Sequence, residues 1–183
     1  HAGASGAGSG VLGMTRVDFR LYLITDRTRT ADRPLVAALQ AAAQAGVRAV
    51  QVREKDLTPR QVYALAEEVQ AALAPLGTRV LLNDRADIAG AAGLAGVHLT
   101  TTGLTAGAAR RGLPDGLIGV STHTLAEARF AAEFGADFLT FGPVFFTPSK
   151  AAYGEPRGLA ALRDVCAAVP IPVFALGGIT PER

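Results

Sequence analysis

The stretch Gly46-Val-Arg-Ala-Val-Gln-Val52 has two counterparts further along the chain, Gly93-Leu-Ala-Gly-Val-His-Leu99 and Gly135-Ala-Asp-Phe-Leu-Thr-Phe141. Each starts with a glycine where a helix is expected to end, makes a short turn and enters an apolar segment. Glycine suits a helix terminus because it adopts positive φ without the steric penalty of a Cβ. The repeat predicts that one βα unit is used several times.

The rest of the chain extends this pattern of strands and helices. Helical spacing of apolar residues follows Pro34, Thr58, Thr124 and Gly158, and capping boxes are predicted at Thr58 with Gln61 and at Thr124 with Glu127. No G-x-G-x-x-G follows the first strand, so one repeated unit favours an α/β fold of the (β/α)8 (TIM) barrel type over a doubly wound sheet. Seven segments have the length and β-branched content of buried strands, namely 21–26, 49–55, 79–84, 96–100, 117–122, 137–142 and 171–177.

Composition excludes several classes of protein. Of 183 residues, 49% are hydrophobic and 19% are charged, and 18 Lys and Arg against 16 Asp and Glu give a formal net charge of +2. No basic run is present, so we expect no nucleic-acid or membrane partner. The single cysteine, Cys166, excludes an internal disulfide and a multi-cysteine zinc site. We expect a cytoplasmic protein, with a homo-oligomer left open.

The two ends of the sequence differ from its middle. Residues 1–13 are rich in Gly and Ser and are predicted to be a tag or linker remnant. Residues 14–183 are predicted to form a single barrel domain. Thr180 and Pro181 have the pattern of a helix start, and only seven strands precede them. We therefore expect the final strand and helices of the barrel to be lacking, which makes the domain C-terminally incomplete.

Polar residues end each predicted strand, and in a barrel these ends converge on one mouth. Their cations, amides, hydroxyls and imidazoles suit a phosphorylated substrate and acid–base chemistry. In chain order they are Thr25-Asp26, Gln51, Arg53, Lys55, Asn83-Asp84, His98, Ser121, His123, Gly142, Thr147, Ser149, Lys150 and Gly177-Gly178.

Several of these strand ends belong to longer motifs that occur in a fixed order. They are Leu21-Tyr-Leu-Ile-Thr-Asp26, Val50-Gln-Val-Arg-Glu-Lys55, Asn83-Asp84-Arg85, Gly96-Val-His-Leu99, Ile118-Gly-Val-Ser-Thr-His-Thr124, Phe141-Gly-Pro-Val-Phe-Phe-Thr-Pro-Ser-Lys150 and Ala175-Leu-Gly-Gly-Ile179. Together they resemble the thiamine phosphate synthase and thiazole tautomerase (TenI) family over residues 21–179. The resemblance implies an enzyme of thiamine biosynthesis that holds a thiazole phosphate in the mouth of a barrel.

The synthase branch of this family implies one set of residue roles. There, a pyrimidine diphosphate loses pyrophosphate, and the thiazole nitrogen captures the resulting cation. Gln51, Lys55 and Asn83 would contact the pyrimidine substrate, and Ser121 would be a further substrate-binding residue. Arg53 and Lys150 would balance the pyrophosphate charge, and Asp84 would be a magnesium ligand. The thiazole phosphate would be bound by Thr147, Ser149, Gly177 and Gly178.

One departure from the synthase pattern favours the tautomerase branch. Synthases follow Gly-Val-His with Gly-Gln-x-Asp, whose aspartate is a second magnesium ligand, whereas this chain has Thr100-Thr101-Thr102-Gly103. The tautomerase reaction needs no metal and moves a proton, a step suited to a histidine. We therefore expect a thiazole tautomerase with His123 and Lys150 as catalytic residues and no cofactor. Thiamine phosphate synthase with Mg²⁺ is the alternative.

Two further functions and several simpler residue roles remain open. The chain could be a non-catalytic protein that binds a phosphorylated ligand, or an unrelated phosphate-binding barrel that isomerises sugar phosphates. His123 could only order a helix start, His98 could be a packed strand residue, and Asn83-Asp84 could be a turn. Gly177-Gly178 could be a turn that ends a strand.

Overall fold

The computed structural model describes residues 17–147 and 155–180. The predicted tag remnant at 1–13, Ser149, Lys150 and Pro181 lie outside these described residues. All seven predicted strands are confirmed and form one parallel sheet in chain order. The strands are β1 (Tyr22–Ile24), β2 (Ala49–Val52), β3 (Arg79–Asn83), β4 (Gly96–Leu99), β5 (Leu117–Thr122), β6 (Phe138–Phe141) and β7 (Val173–Ala175).

Within residues 17–147 and 155–180, six α-helices alternate with these strands. Thr58 and Thr124 cap the second and fifth helices through complete capping boxes, as predicted, because each hydroxyl and the side chain three residues later satisfy free backbone N–H groups. The predicted helix-ending glycines also adopt positive φ, +106° at Gly46, +61° at Gly93 and +96° at Gly135. The helices are α1 (Leu35–Gln44), α2 (Pro59–Leu73), α3 (Ala86–Ala91), α4 (Ala106–Gly112), α5 (Leu125–Glu133) and α6 (Gly158–Ala168).

The sheet curls into a nearly closed barrel, which confirms the predicted fold class. Aromatic rings from both ends of the sheet share its interior: Tyr22 of β1 lies 5.2 Å from Phe138 of β6 and 6.0 Å from Phe174 of β7, between ring centroids. Phe19 packs against the same rings. A groove of about 550 Å³, lined by residues of β1 and β7, separates the first and last strands.

Alternation along each strand divides its side chains between two environments. Val50 and Val52 of β2 pack outward against the helices, whereas Ala49 faces the inner cluster that contains Tyr22 and Phe138. Because neighbouring residues of a strand point to opposite faces, Gln51 faces inward with Ala49. The parallel register then brings the carboxyl ends of all seven strands to one edge of the barrel. No helix within 17–147 or 155–180 has the length and hydropathy needed to cross a bilayer.

Candidate active site

The floor of the mouth is a buried polar network. Gln51 is 1% exposed, and its Nε2 donates to the hydroxyl of Tyr22 at 3.2 Å. Across the barrel, His98 Nε2 lies 3.0 Å from Ser121 Oγ and 3.3 Å from Thr140 Oγ1. These side chains come from strands β1, β2, β4, β5 and β6, so the predicted convergence of strand ends is present here.

His98 is uncharged in this network. Burial, with a smaller contribution from the positive charge of Arg53, lowers the pKa of His98 from 6.5 to about 3. Its Nδ1 makes no hydrogen bond to the described residues. Gly119 lies beside Nδ1, and a Cβ there would collide with it. His98 thus acts as a neutral hydrogen-bond partner for Ser121, and the guanidinium of Arg53 lies near enough to act on the imidazole electrostatically.

A second network ties the loops after β1 and β2 together. Glu54 accepts hydrogen bonds from Thr25 Oγ1 at 2.6 Å and from Arg27 Nη1 at 3.2 Å, and its side chain is only 4% exposed. Arg27 also forms an ion pair with the exposed Asp56, which lowers the pKa of that carboxyl. Lys55 is exposed beside this network. Sequence patterns placed Thr25 at a strand end but did not predict the contacts of Arg27 and Glu54, because these contacts join residues 27–29 positions apart.

Asp84 lies on the adjoining part of the rim, after β3. It adopts a positive φ of 61°, and its Oδ1 accepts from the backbone N of Thr100 at 3.4 Å and from Thr100 Oγ1 at 3.2 Å. Gly103 packs so closely that a Cβ would collide with Asp84 Oδ1. Asn83 pairs with His98 in the strand register and is partly exposed.

These residues can be tested for their fit to a magnesium ion. Within the described residues, no cluster of three or more His, Cys, Asp and Glu side chains could enclose a metal. Magnesium in phosphoryl sites commonly uses one or two carboxylates, with substrate phosphates and water completing its octahedron. Asp84 supplies one carboxylate on the rim, held through its Oδ1 by Thr100. The donor set therefore fits a magnesium–diphosphate complex.

His123 is oriented by backbone groups at the other side of the mouth. Its Nδ1 donates to the carbonyl of Gly142 at 2.6 Å, and its backbone N donates to Glu127 Oε2 at 2.6 Å. The ring borders a groove of about 380 Å³ next to α5 and α6, which Arg157 also lines. His123 thus joins the start of α5 to the segment after β6.

The rim after β6 and β7 is made of closely packed backbone. Val144 N donates to Leu176 O at 2.7 Å, and Phe145 N donates to Gly177 O at 2.9 Å. Gly177 has a φ of +95°, and a Cβ on it would lie 2.6 Å from Pro143 Cβ. Gly178 lies beside this contact, and Thr147 is half-buried at the end of the described segment.

The structure thus groups the candidate residues unequally. Gln51 and Ser121 converge on the barrel interior with Arg53 nearby, and Asn83 and Asp84 follow β3 on the adjoining rim. Lys55 is more exposed, and His123, Thr147, Gly177 and Gly178 belong to the side formed by β5, β6 and β7. Ser149 and Lys150 lie outside the described residues.

Comparison with known proteins identifies the family. A family model described as thiamine monophosphate synthase matches residues 21–183. The chain belongs to this family. A Geobacter sulfurreducens protein, provisionally named a thiamine-phosphate synthase, is 53% identical to this chain. The match covers 91% of this chain and 78% of that protein. The thiamine-phosphate synthase of Clostridium novyi is 40% identical, covering 91% of this chain and 82% of the relative.

A solved structure with the same fold is named a thiamine phosphate pyrophosphorylase. The thiamine phosphate pyrophosphorylase of Pyrococcus furiosus superposes with a TM-score of 0.78 at 32% identity, over 88% of this chain and 76% of that one. These matches confirm the predicted family and the prediction of an enzyme of thiamine biosynthesis.

The preference for a metal-independent thiazole tautomerase is wrong. The relatives are named thiamine-phosphate synthase, and the solved structure is a thiamine phosphate pyrophosphorylase. That preference depended on the missing carboxylate in Thr100-Thr101-Thr102-Gly103. One absent ligand is a weak guide, because a diphosphate and water can supply the remaining oxygens around magnesium.

Proposed function

We propose that this chain is a thiamine-phosphate synthase, which joins a pyrimidine diphosphate to a thiazole phosphate and releases pyrophosphate. The observation that carries this proposal is the convergence of Gln51, Arg53 and Ser121 at one barrel mouth, in a chain 40% identical to a protein named thiamine-phosphate synthase. A cation beside buried amide and hydroxyl groups suits a planar heterocycle that carries a diphosphate.

The reaction follows from the charges at this mouth. The carbon–oxygen bond of the pyrimidine diphosphate breaks, and its electron pair leaves with the pyrophosphate oxygen. The lone pair of the thiazole nitrogen then forms the new carbon–nitrogen bond, so no proton is transferred. Arg53 and Lys55 stabilise the charge that develops on the leaving pyrophosphate. Lys150 is proposed to contribute a further positive charge.

The pyrimidine ring is held by the floor of the mouth. Gln51 offers both a donor and an acceptor to ring nitrogens and an exocyclic amine, and Asn83 does the same at the rim. Ser121 is held in place by the neutral His98 and Thr140. Because His98 is uncharged, it adds no repulsion against a carbocation formed nearby.

A magnesium ion would be held on the part of the rim that carries Asp84, after β3. When bound, it would neutralise part of the diphosphate charge, with Asp84 as its protein carboxylate. Thr100 restrains one oxygen of that carboxylate, which fixes the direction in which Asp84 presents its charge.

The thiazole phosphate is assigned to the opposite rim. Gly177 and Gly178 bring backbone without side chains to this rim at positive φ, and backbone N–H groups are suitable phosphate donors. Thr147 and Ser149 would add hydroxyl donors. In this arrangement His123 holds Gly142 in position instead of transferring a proton.

Product analysis tests this function. The purified chain is incubated with the pyrimidine diphosphate, the thiazole phosphate and Mg²⁺, and thiamine phosphate and pyrophosphate are quantified. We expect equal amounts of the two products and no product in the presence of EDTA. Failure to form thiamine phosphate from substrates that both bind would contradict the proposal and favour a non-catalytic binding protein.

A further inference from the structure

Glu54 occupies an unexpected position for a carboxylate. It lies in sequence between Arg53 and Lys55, at a mouth that is proposed to receive a diphosphate. Its side chain is 4% exposed and accepts hydrogen bonds from Thr25 Oγ1 at 2.6 Å and from Arg27 N and Nη1, each at 3.2 Å. A buried carboxylate costs free energy unless it is paired, so these contacts give Glu54 a defined structural position.

The hydrogen bonds of Thr25 connect Glu54 to its neighbour Arg53. A carboxylate can only accept, so the Thr25 hydroxyl donates its proton to Glu54. The lone pairs of the same oxygen then accept from the backbone N of Arg53, at 2.9 Å. Glu54 therefore sets the direction of the Thr25 hydroxyl, and Thr25 sets the backbone position of Arg53.

Arg27 completes the contact by bridging two carboxylates. Its Nη1 lies 2.6 Å from Asp56 Oδ1 and 3.2 Å from Glu54 Oε2. The loop after β1 thus holds Glu54 away from the mouth and compensates its charge. Arg53 directly follows β2 and Lys55 lies in the turn after it, so the two cations flank the carboxylate that these contacts hold.

We propose that Glu54 is a positioning residue, which acts through Thr25 and Arg27 to direct the flanking cations Arg53 and Lys55 towards the pyrophosphate group. This inference rests on the proposed synthase function. Glu54 itself does not touch substrate in this arrangement. Its contribution is to fix two flexible cations in the geometry that binds pyrophosphate, which reduces the entropy lost on binding.

Two substitutions test this role by ligand binding. Glu54→Gln keeps the size and one acceptor but removes the charge that holds Arg27, and Thr25→Val removes the hydroxyl that links Glu54 to Arg53. We expect each to weaken binding of magnesium pyrophosphate about tenfold, the effect of losing one charge-assisted hydrogen bond. Binding of thiazole phosphate should change less than about twofold, within the ordinary scatter of a remote site. Isothermal titration calorimetry measures both.

Three controls separate positioning from general damage. Thr25→Ser retains the hydroxyl and should restore pyrophosphate affinity. Asp18→Asn removes a carboxylate that pairs with Arg79 at the opposite end of the barrel, and it should bind both ligands normally. Thermal unfolding of each variant verifies folding, and the Thr25 pair carries the test if Glu54→Gln does not fold.

The outcomes distinguish this inference from the proposed function. If the unmodified chain fails to bind magnesium pyrophosphate, the synthase proposal fails. If it binds normally but Glu54→Gln and Thr25→Val bind equally well, only the positioning role is overturned. If the affinities for both ligands fall equally and the unfolding temperature falls with them, the positioning role is also overturned and the role of Glu54 is purely structural.

Discussion

Two sides of the barrel mouth are built in different ways. The side formed by β1, β2 and β3 consists of side chains held by other side chains, such as Thr25, Glu54 and Arg27. The side formed by β6 and β7 consists of backbone in close contact, where Gly142 and Gly177 leave no room for a Cβ. The comparison shows that the side formed by β1, β2 and β3 depends on hydrogen bonds between side chains, whereas the side formed by β6 and β7 depends on the absence of side chains.

The largest expected effect comes from adding one methyl group to the side of the mouth formed by β6 and β7. Gly177→Ala places a Cβ 2.6 Å from Pro143 Cβ and requires a φ of +95°. We expect a loss of about 2–4 kcal/mol in the free energy of unfolding, from overpacking and backbone strain together. Urea denaturation measures it. Gly112→Ala, at an open helical position, is the matched control and should be neutral or slightly stabilising. Equal stability of the two variants would refute the close-packing argument.

Removing a charge from the side of the mouth formed by β1, β2 and β3 should affect ligand binding more than folding. Arg53→Met keeps much of the apolar stem and deletes the guanidinium. We expect magnesium pyrophosphate affinity to fall about 10–100-fold, in line with loss of charged hydrogen bonds, while the free energy of unfolding changes by less than about 1 kcal/mol. Calorimetry and urea denaturation provide the two values. Retained pyrophosphate affinity would remove Arg53 from the site.

The buried His98 gives the floor of the mouth a specific pH dependence. In the unfolded chain this imidazole becomes protonated below its ordinary pKa of 6.5. In the folded chain it becomes protonated only near the lowered pKa of about 3. Stability from this residue is therefore present above pH 6.5 and is lost as the pH falls towards 3. Between pH 7.5 and 5 the expected loss is about 2 kcal/mol.

Comparison with His98→Gln isolates this contribution from the other titrating groups. Urea denaturation at pH 7.5 and 5 should show a smaller pH-dependent loss in the variant than in the unmodified chain. The same loss in both proteins would show that His98 is not the group responsible.

The smallest effect is expected at the exposed end of the Arg27 contact. Asp56→Asn removes an ion pair whose carboxylate is 66% exposed, so the free energy of unfolding should fall by less than about 1 kcal/mol. Denaturation in low and high salt checks this, because a screened surface pair loses its contribution as salt increases. A larger loss would show that Asp56 is as important to Arg27 as the buried Glu54.

Strand positions could be predicted from sequence because buried parallel strands need continuous apolar runs, as in 117–122. The short helices α3 and α4 had no predicted counterpart, because their Ala and Gly residues give little helical periodicity. In α6, Leu159 and Cys166 are exposed and Val165 is buried, although helical spacing alone marked only a general apolar face after Gly158. Periodicity assigns a face to the core, but neighbouring elements decide how much of it is covered.

The residues of the candidate site also differ in whether the sequence could predict their positions. Gln51, Arg53 and Ser121 could be located from strand ends, since alternation and parallel register determine where such residues lie. The Glu54 contacts and the collision of a Gly177 Cβ with Pro143 could not, because they join residues of separate loops. The role of Gly103 beside Asp84 likewise became visible only in three dimensions.

Calorimetric titration of the unmodified chain with both ligands tests most directly whether the two sides of the mouth hold different substrates. Thiazole phosphate is titrated first into the free chain and then into the chain saturated with magnesium pyrophosphate. The account predicts one equivalent bound in each case, with no competition between the ligands. Displacement of one ligand by the other would show a single shared phosphate site and would contradict it.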